Sequence, residues 1–345
     1  MNSKDRFSEQ QKAKVREIEE ILKTFLPKEE GYQKIIMEAM EYSLLAGGKR
    51  LRPMLMQETY LLFSGGVKRK EDADALHSFM AAQEMIHTYS LVHDDLPAMD
   101  NDDYRRGRKT THVVYGEDMG ILAGDALLNY AFETAALAFE DRTADAAKVG
   151  RALGILSRKA GIYGMIGGQV IDVKETGHEV SEDMLDTIYK LKTSALIESS
   201  MMIGAVLGGA EDADVKAVER IAGNVGHAFQ IQDDILDYTR TARTGKPANN
   251  DLHEGKITLP LLAVLERCDA ARSAELLDLL GRCAADDGAV ERLQSIVEEE
   301  GGIDAAAQVM HDFLARAAGM LAEYAPSEAQ RSLIALCAYV AERDR

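Results

Sequence analysis

The sequence has few residues that break helices, with only 6 prolines among 345 residues. Alanine, leucine, methionine and glutamate, which favour helices, are frequent, and no useful length of chain alternates apolar and polar residues as a half-exposed strand does. The sequence also lacks a fixed-period repeat, a low-complexity tail and a linker between two halves. Because 46% of the residues are hydrophobic, the chain can bury a large core. The sequence predicts one all-α domain over residues 1–345.

Cysteine is scarce, and basic residues are outnumbered by acidic ones. The 3 cysteines, Cys268, Cys283 and Cys337, have neither CxxC spacing nor histidine partners, which indicates reduced structural thiols in a cytosolic protein. Lys and Arg number 40 against 58 Asp and Glu, giving a formal net charge of −18. This balance argues against nucleic-acid binding, which needs a basic patch.

Long apolar runs are missing too. The N-terminal residues lead straight into charged, helix-like sequence without the apolar region of a signal peptide. One of the most apolar stretches, residues 195–210, contains Glu198 and is too short to span a bilayer. We therefore expect a cytoplasmic protein without a membrane span.

Carboxylates, by contrast, are concentrated in two clusters. The first holds five within ten residues, 94–103, and the second is the shorter stretch 232–237. Each follows an apolar run with helical periodicity, and Asp233 and Asp237, four residues apart, share one helix face. Carboxylates this close repel one another unless cations lie among them. We interpret the two clusters as parts of one cation site.

Basic residues adjoin the first cluster. Arg105, Arg106, Arg108 and Lys109 follow it directly, and the planar guanidinium group suits phosphate oxygens. Carboxylate–metal–phosphate is the simplest arrangement that uses both kinds of group. A P-loop for ATP is not indicated, because residues 245–247 lack the preceding strand and the hydroxyl residue.

Three other features bear on this site. The pair Gly47 and Gly48 before Lys49 and Arg52 is either a helix C-cap with a solvated basic turn or a flexible phosphate-binding backbone. His87 lies two helical turns before Asp94, on nearly the same face. Three glycines, Gly164, Gly167 and Gly168, interrupt a helical pattern. They indicate either close helix packing or backbone near a ligand, and the sequence leaves both alternatives open.

Taken in order, these motifs resemble those of the trans-prenyltransferases, the isoprenyl (polyprenyl) diphosphate synthases, and most closely the bacterial farnesyl diphosphate synthases. The motifs are GGKRLRP (47–53), DDLPAMD (94–100), RRG (105–107), GGQ (167–169), KT (192–193) and FQIQDDILD (229–237). The resemblance covers the chain from about residue 38 onward. It implies the isoprenoid synthase fold, a helical bundle around a deep central cavity, and assembly of two such chains as a homodimer. The implied reaction joins isopentenyl diphosphate head-to-tail to an allylic diphosphate.

The resemblance also implies roles for individual residues. It implies three Mg²⁺ ions per active site, which Mn²⁺ can replace, between two facing aspartate motifs. Their ligands would be Asp94, Asp95, Asp100, Asp233, Asp234 and Asp237. Allylic diphosphate would lie near Arg105, Lys192, Thr193, Gln230, Lys246 and Lys256. Isopentenyl diphosphate would lie near Lys49, Arg52, His87 and Arg106. Of these, the residues expected to take part in catalysis are Asp94, Asp95, Asp100, Arg105, Lys192 and Asp233.

Product length is predicted from the helix before Asp94. One helical turn is about 5.4 Å, close to one isoprene unit, and residues one turn before Asp94 would line the cavity. Tyr89, with Ser90 beside it, is bulky enough to form a floor, and relatives with a farnesyl product carry an aromatic residue there. We therefore expect farnesyl diphosphate. Residues 245–260 and Lys109, which stands where relatives usually have proline, leave geranylgeranyl or longer products as the alternative.

Two other classes of function compete with this hypothesis. A terpene cyclase shares metal-triggered ionisation but leaves the cations around isopentenyl diphosphate without a role. A non-catalytic partner subunit, as found in some heteromeric prenyl synthases, tends to lose aspartates, and both clusters here are complete.

Overall fold

The computed structural model describes residues 3–140, 144–239 and 249–342. These residues form helices almost throughout, which confirms the all-α prediction. In the described ranges, strands occur only as a two-residue antiparallel pair, β1 (Tyr104–Arg105) with β2 (Arg108–Lys109). No helix within those ranges is long and apolar enough to cross a membrane.

The chain divides into two compact units, and the predicted single domain stays a prediction. The first unit comprises residues 1–157, 199–219 and 325–335, and the second residues 158–198, 220–324 and 336–345. The first contains α1 (Ser3–Thr24), α2 (Lys34–Leu44), α3 (Leu51–Phe63), α4 (Lys70–Asp94), α5 (Thr111–Tyr115), α6 (Glu117–Ala136), a 3-10 turn (Leu137–Phe139), most of α7 (Ala146–Ala160), and parts of α10 (Ala195–Gly208), α11 (Asp212–Thr239) and α17 (Glu328–Glu342).

The second unit contains the remainder of these shared helices together with a short π-helix, in which each turn holds more residues than in an α-helix. Its own elements are α8 (Met165–Glu175), α9 (Glu182–Ile188), a π-helix (Tyr189–Ser194), α12 (Asn250–His253), α13 (Leu259–Leu265), α14 (Ala270–Arg282), α15 (Asp287–Glu299) and α16 (Gly302–Ala322). Helix α13 packs against α16, and α8 packs against the π-helix.

Helix α4 forms the core of the first unit and places the first acidic cluster. Phe79, Met80, Met85 and Ile86 are fully buried, and the helix packs against α3 and α6. It is apolar around much of its circumference, as expected for a helix surrounded by others. The helix ends at Asp94. Three residues later Pro97 has no N–H to continue the ladder, so the carboxylates lie in a loop at the helix end.

Candidate active site

The loop after α4 folds back onto the helix end. The Asp100 N–H donates to the Asp94 carbonyl at 2.9 Å, and the Asn101 N–H donates to the Leu96 carbonyl at 3.1 Å. Asn101 is left-handed, with φ of 54°, which closes the turn around the exposed Pro97. The backbones of Asp94 and Asp100 are therefore adjacent, and both residues are half-buried. The C-terminal end of the α4 dipole adds to their negative field.

Asp95 has a different environment. It is only 4% exposed, and its Oδ1 accepts a hydrogen bond of 2.6 Å from Arg105 Nε. Arg105 also lies 3.6 Å from Asp102. Burial lowers the pKa of Arg105, but the charge and hydrogen bond of Asp95 outweigh it, so the net shift is upward. Asp95 thus holds Arg105 beside the two half-buried carboxylates.

His87 lies among guanidinium groups. Burial, and then the charges of Arg52 and Arg106, lower the pKa of His87 well below its ordinary value. Both Arg52 and the neighbouring Arg50 are buried, and Lys49 is half-buried. The imidazole is therefore neutral, and the positive charge of the cations around it favours binding of an anion.

Gly47 and Gly48, which follow α2, form either a helix C-cap or a phosphate-binding backbone, and their contacts bear on this choice. Arg106 Nη1 donates to the Gly47 carbonyl. A Cβ at Gly48 would lie 2.7 Å from Arg106 Nη1, and Gly48 has a φ of 130°. The pair therefore admits a guanidinium group against the backbone, which favours the phosphate-binding interpretation over a simple cap.

Arg50 is a site-supporting residue that the sequence interpretation missed. Its Nη1 donates to Glu84 Oε1 and its Nη2 to the Leu44 carbonyl, each at 2.8 Å. Arg50 and Glu84 are each 2% exposed. This pair fixes the segment between Gly48 and Arg52. A carboxylate within the apolar sequence of α4 was the available signal, because it requires a buried partner.

The predicted chain-length residues point in different directions on α4. Five residues rotate a helix by about 500°, so Tyr89 lies about 140° away from Asp94. Its ring packs edge-on against His93, with 5.8 Å between centroids, and His93 Nε2 contacts the Ile121 carbonyl of α6. Burial raises the pKa of Tyr89 to about 12. The small, half-buried Ser90 lies only about 40° from Asp94, one turn below it.

In the second unit, two lysines converge on Asp172. Lys192 Nζ lies 2.6 Å from Asp172 Oδ2 and Lys256 Nζ lies 3.7 Å from it, while Lys256 also pairs with Glu254 at 2.6 Å. Burial raises the pKa of Asp172, but the charges and hydrogen bonds of the two lysines together lower it by more, so the net shift is downward. Asp172, Lys192 and Lys256 line a cleft that is open to solvent. Asp172 was not among the predicted site residues, although it lies three residues after the last residue of GGQ.

A hydrogen-bonded chain runs beside this cleft. Thr193 Oγ1 donates to Gln230 Oε1 at 2.6 Å, and Gln230 Nε2 donates to Asp234 Oδ1 at 3.1 Å. The Tyr189 hydroxyl donates to the other oxygen of Asp234. Asp234 is 1% exposed, and burial raises its pKa to about 7, although its hydrogen bonds oppose the shift. Tyr189 is a further site residue that the sequence interpretation missed.

The three carboxylates of the second cluster also differ. Asp237 is buried and accepts the N–H groups of Asn250 and Asp251 at 3.1 and 3.0 Å, so it caps the first turn of α12. Asp234 accepts hydrogen bonds from Tyr189 and Gln230, and Asp233 is half-buried. Lys246 lies outside the described residues. Across residues 3–140, 144–239 and 249–342, no group of three His, Cys, Asp or Glu side chains is close enough to bind a metal ion by itself.

Glycines set the spacing around the lysine cleft. A Cβ at Gly168 would lie 2.2 Å from the Lys192 backbone nitrogen, and one at Gly167 would lie 2.2 Å from the Ile162 carbonyl. A Cβ at Gly164 would lie 2.0 Å from the Lys159 carbonyl. All three contacts are with backbone, which favours close packing as the reason for these glycines.

Comparison with known proteins identifies relatives over most of the chain. The family model described as polyprenyl synthetase matches residues 33–297. The heterodimeric geranylgeranyl pyrophosphate synthase large subunit 1 of Arabidopsis thaliana is 44% identical over 255 residues, covering 73% of this chain and 66% of the relative. The geranylgeranyl pyrophosphate synthase of Capsicum annuum is 46% identical over 235 residues, covering 68% and 62%. The match thus spans less than two thirds of either plant relative.

A solved structure matches almost the whole chain. The geranylgeranyl pyrophosphate synthetase from Pyrococcus horikoshii superimposes with a TM-score of 0.85 at 30% identity, covering 99% of this chain and 100% of that one. This likeness confirms the isoprenoid synthase fold that the motifs imply.

The prediction of a farnesyl product is wrong, because the relatives are named geranylgeranyl synthases. It rested on Tyr89 as a floor beneath Asp94. In the structure the Tyr89 ring packs toward His93, and the residue one turn below Asp94 on its own face is the small Ser90.

The motifs, the all-α fold and the matched family model lead to one conclusion. The chain belongs to the polyprenyl synthetase family.

Proposed function

We propose that the protein is a trans-prenyltransferase that makes geranylgeranyl diphosphate, by head-to-tail addition of isopentenyl diphosphate to allylic diphosphates. One observation supports this class of reaction above all. Each unit combines half-buried carboxylates with a cluster of cations, as binding of metal-bridged diphosphates requires. The names of the relatives support the twenty-carbon product. A cytoplasmic location remains part of the proposal.

The cations of the first unit suit isopentenyl diphosphate. Lys49, Arg52 and Arg106 would bind its phosphate oxygens, and His87 would donate a hydrogen bond once the bound anion offsets the neighbouring guanidinium charges. Arg50 and Glu84 hold the backbone of this segment in place. A terpene cyclase would have no use for this second diphosphate position.

The cleft of the second unit suits the allylic diphosphate. Lys192 and Lys256 present two ammonium groups around Asp172, and Thr193 and Gln230 add polar groups to the lining of the cleft. The family resemblance also assigns Arg105 and Lys246 to the allylic diphosphate. Fixed cations stabilise the charge that develops on the leaving diphosphate, which is where preorganised electrostatics lowers a barrier most.

The carboxylates fit Mg²⁺ by their chemistry. Mg²⁺ prefers oxygen ligands and is commonly held by one or two carboxylates together with substrate phosphates. We assign Asp94, Asp100 and Asp233 as the direct ligands, with Mn²⁺ as a substitute. Asp95, Asp234 and Asp237 support them by holding Arg105, the Gln230 chain and α12. When bound, the ions neutralise the diphosphate and so promote loss of this leaving group.

The proposal is tested by incubating the purified chain with Mg²⁺, labelled isopentenyl diphosphate, and in turn dimethylallyl, geranyl and farnesyl diphosphate. We expect a twenty-carbon prenyl diphosphate with each primer. A fifteen-carbon end product would overturn the product assignment. Hydrocarbon formed without isopentenyl diphosphate would indicate a cyclase, and activity only after addition of a second subunit would indicate a non-catalytic partner.

Ser90→Phe should shorten the product. The added ring would project one turn below Asp94, into the part of the cavity that the growing chain is expected to occupy, so chains of fifteen carbons or fewer should accumulate. Product chromatography measures this, and Asp74→Phe, at an exposed position of the same helix, is the matched control. Tyr89→Ala separates the two predicted chain-length residues: a longer product assigns the limit to Tyr89, and an unchanged one assigns it to the face of Ser90.

A second copy of this chain is the proposed partner. In the segment formed by α6 and the 3-10 turn, Ile121, Leu122, Leu137 and Phe139 are 42–49% exposed, an amount of exposed apolar surface that favours association. Light scattering on the purified chain should give twice the chain mass of 37.8 kDa. A monomer would instead favour assembly with a different subunit, as the name of the Arabidopsis relative states for that protein.

A further inference from the structure

The π-helix of the second unit carries Lys192 and Thr193, and the backbones of two glycines approach it at Lys192 and Ser194. Gly168 of α8 approaches the Lys192 nitrogen, as described above. On α11, a Cβ at Gly226 would lie 2.4 Å from Ser194 Oγ and 2.5 Å from Ser194 Cα. A π-turn is less favourable than an α-turn and persists where tertiary contacts hold it. The direction of the Lys192 side chain therefore depends on what fixes this segment.

Ser194 closes the π-helix and contacts a buried histidine. Its hydroxyl donates to the Tyr189 carbonyl, five residues earlier, at 3.1 Å, and lies 3.2 Å from His227 Nδ1. Ser194 is fully buried and His227 is 8% exposed. Their contact therefore joins α11 to the last residue of the π-helix in a place that water does not reach.

His227 is itself fixed on three sides. Its Nδ1 lies 2.8 Å from the Gly223 carbonyl, and its Nε2 lies 3.2 Å from Asp186 Oδ1 on α9. Its ring stacks on Phe313 of α16, with 5.0 Å between centroids and 23° between planes. The imidazole thus links α9, α11 and α16 to the end of the π-helix. None of these contacts is with the residues assigned to substrate or metal.

We propose that His227 is a positioning residue: together with Asp186 and Ser194, it holds the π-helix so that Lys192 and Thr193 face the allylic diphosphate. The kinetic part of this inference rests on the proposed function. An apolar side chain of similar size would fill the space but would leave the Ser194 hydroxyl without its ring partner and α9 without its link to α11.

His227→Leu should raise KM for the allylic diphosphate about tenfold, the effect of losing one or two hydrogen bonds. KM for isopentenyl diphosphate should be unchanged, because the first unit supplies its proposed ligands. His227→Asn, which keeps an N–H near the position of Nδ1, should restore most of the loss. His311→Leu, at an exposed histidine of α16, is the control. Equal changes in both KM values, or no rescue by asparagine, would overturn the proposal.

Hydrogen exchange separates this inference from the proposed function. The amides of residues 189–195 should exchange about tenfold faster in His227→Leu, and those of α14 and α15 should be unchanged. Unaltered exchange at residues 189–195 would reject the positioning role even if turnover fell. An inactive wild-type chain would reject the proposed function alone, and exchange would still decide on His227. If His227→Leu does not fold, Asp186→Asn, at a side chain that is 60% exposed, gives the same comparison.

Discussion

Asp94→Asn should lower the turnover number of the purified protein by about 100- to 1,000-fold, the usual cost of removing one group that stabilises developing charge. Asparagine keeps the shape of the side chain and its half-buried place at the end of α4 but removes the negative charge. Asp233→Asn should have a comparable effect from the second unit. The measurement is steady-state turnover with both substrates saturating and Mg²⁺ in excess. Asp103→Asn, an exposed aspartate of the same loop, is the matched control and should change turnover little.

Asp95→Asn distinguishes metal binding from support of Arg105. Asp95 is buried and hydrogen-bonded to Arg105, so its replacement should raise KM for the allylic diphosphate and leave the Mg²⁺ concentration for half-maximal rate unchanged. Asp94→Asn, by contrast, should raise that Mg²⁺ concentration. If both variants shift the Mg²⁺ requirement equally, the assignment of different roles to the two adjacent aspartates is wrong.

The helices around the first acidic cluster were predictable because their pattern is local. Periodic apolar residues predict a helix over residues 72–92, and the structure has α4 at Lys70–Asp94. The fold-back that places Asp100 beside Asp94 was likewise foreseeable, because Pro97 cannot continue the helix. Apolar periodicity and the position of one proline sufficed for both.

The π-helix was not predictable in the same way. The sequence predicts one continuous helix over residues 185–207, whereas the structure interrupts it at Tyr189–Ser194. The cause lies in Gly168 and Gly226, whose backbones approach the segment from other helices. A local sequence window does not contain these contacts. The direction of Tyr89 is a different case, because five residues rotate a helix by about 500° and its separation from the Asp94 face follows from helix geometry alone. The prediction of a farnesyl product placed this aromatic side chain beneath Asp94 in spite of that rotation.

Arg50→Met should destabilise the protein strongly, lowering the free energy of unfolding by about 3–5 kcal/mol, because Glu84 would remain as a buried charge without its guanidinium partner. Methionine keeps much of the apolar stem, so lost packing contributes little. Urea unfolding followed by circular dichroism measures the change as a lower midpoint. Lys12→Met, which breaks an ion pair between two exposed side chains, is the control and should leave the midpoint almost unchanged.

The double variant Arg50→Met with Glu84→Met shows whether an unpaired charge is the cause. Removing both members of a buried ion pair is often nearly neutral, so the double variant should recover most of the stability lost by Arg50→Met. About 1 kcal/mol should remain lost, because the Leu44 carbonyl no longer accepts a hydrogen bond from Arg50. A double variant as unstable as Arg50→Met would locate the effect in the left-handed Arg50 backbone, where φ is 48°, and in its packing rather than in charge. Recovered stability with a raised KM for isopentenyl diphosphate would show that the pair orients Lys49 and Arg52 in addition to stabilising the fold.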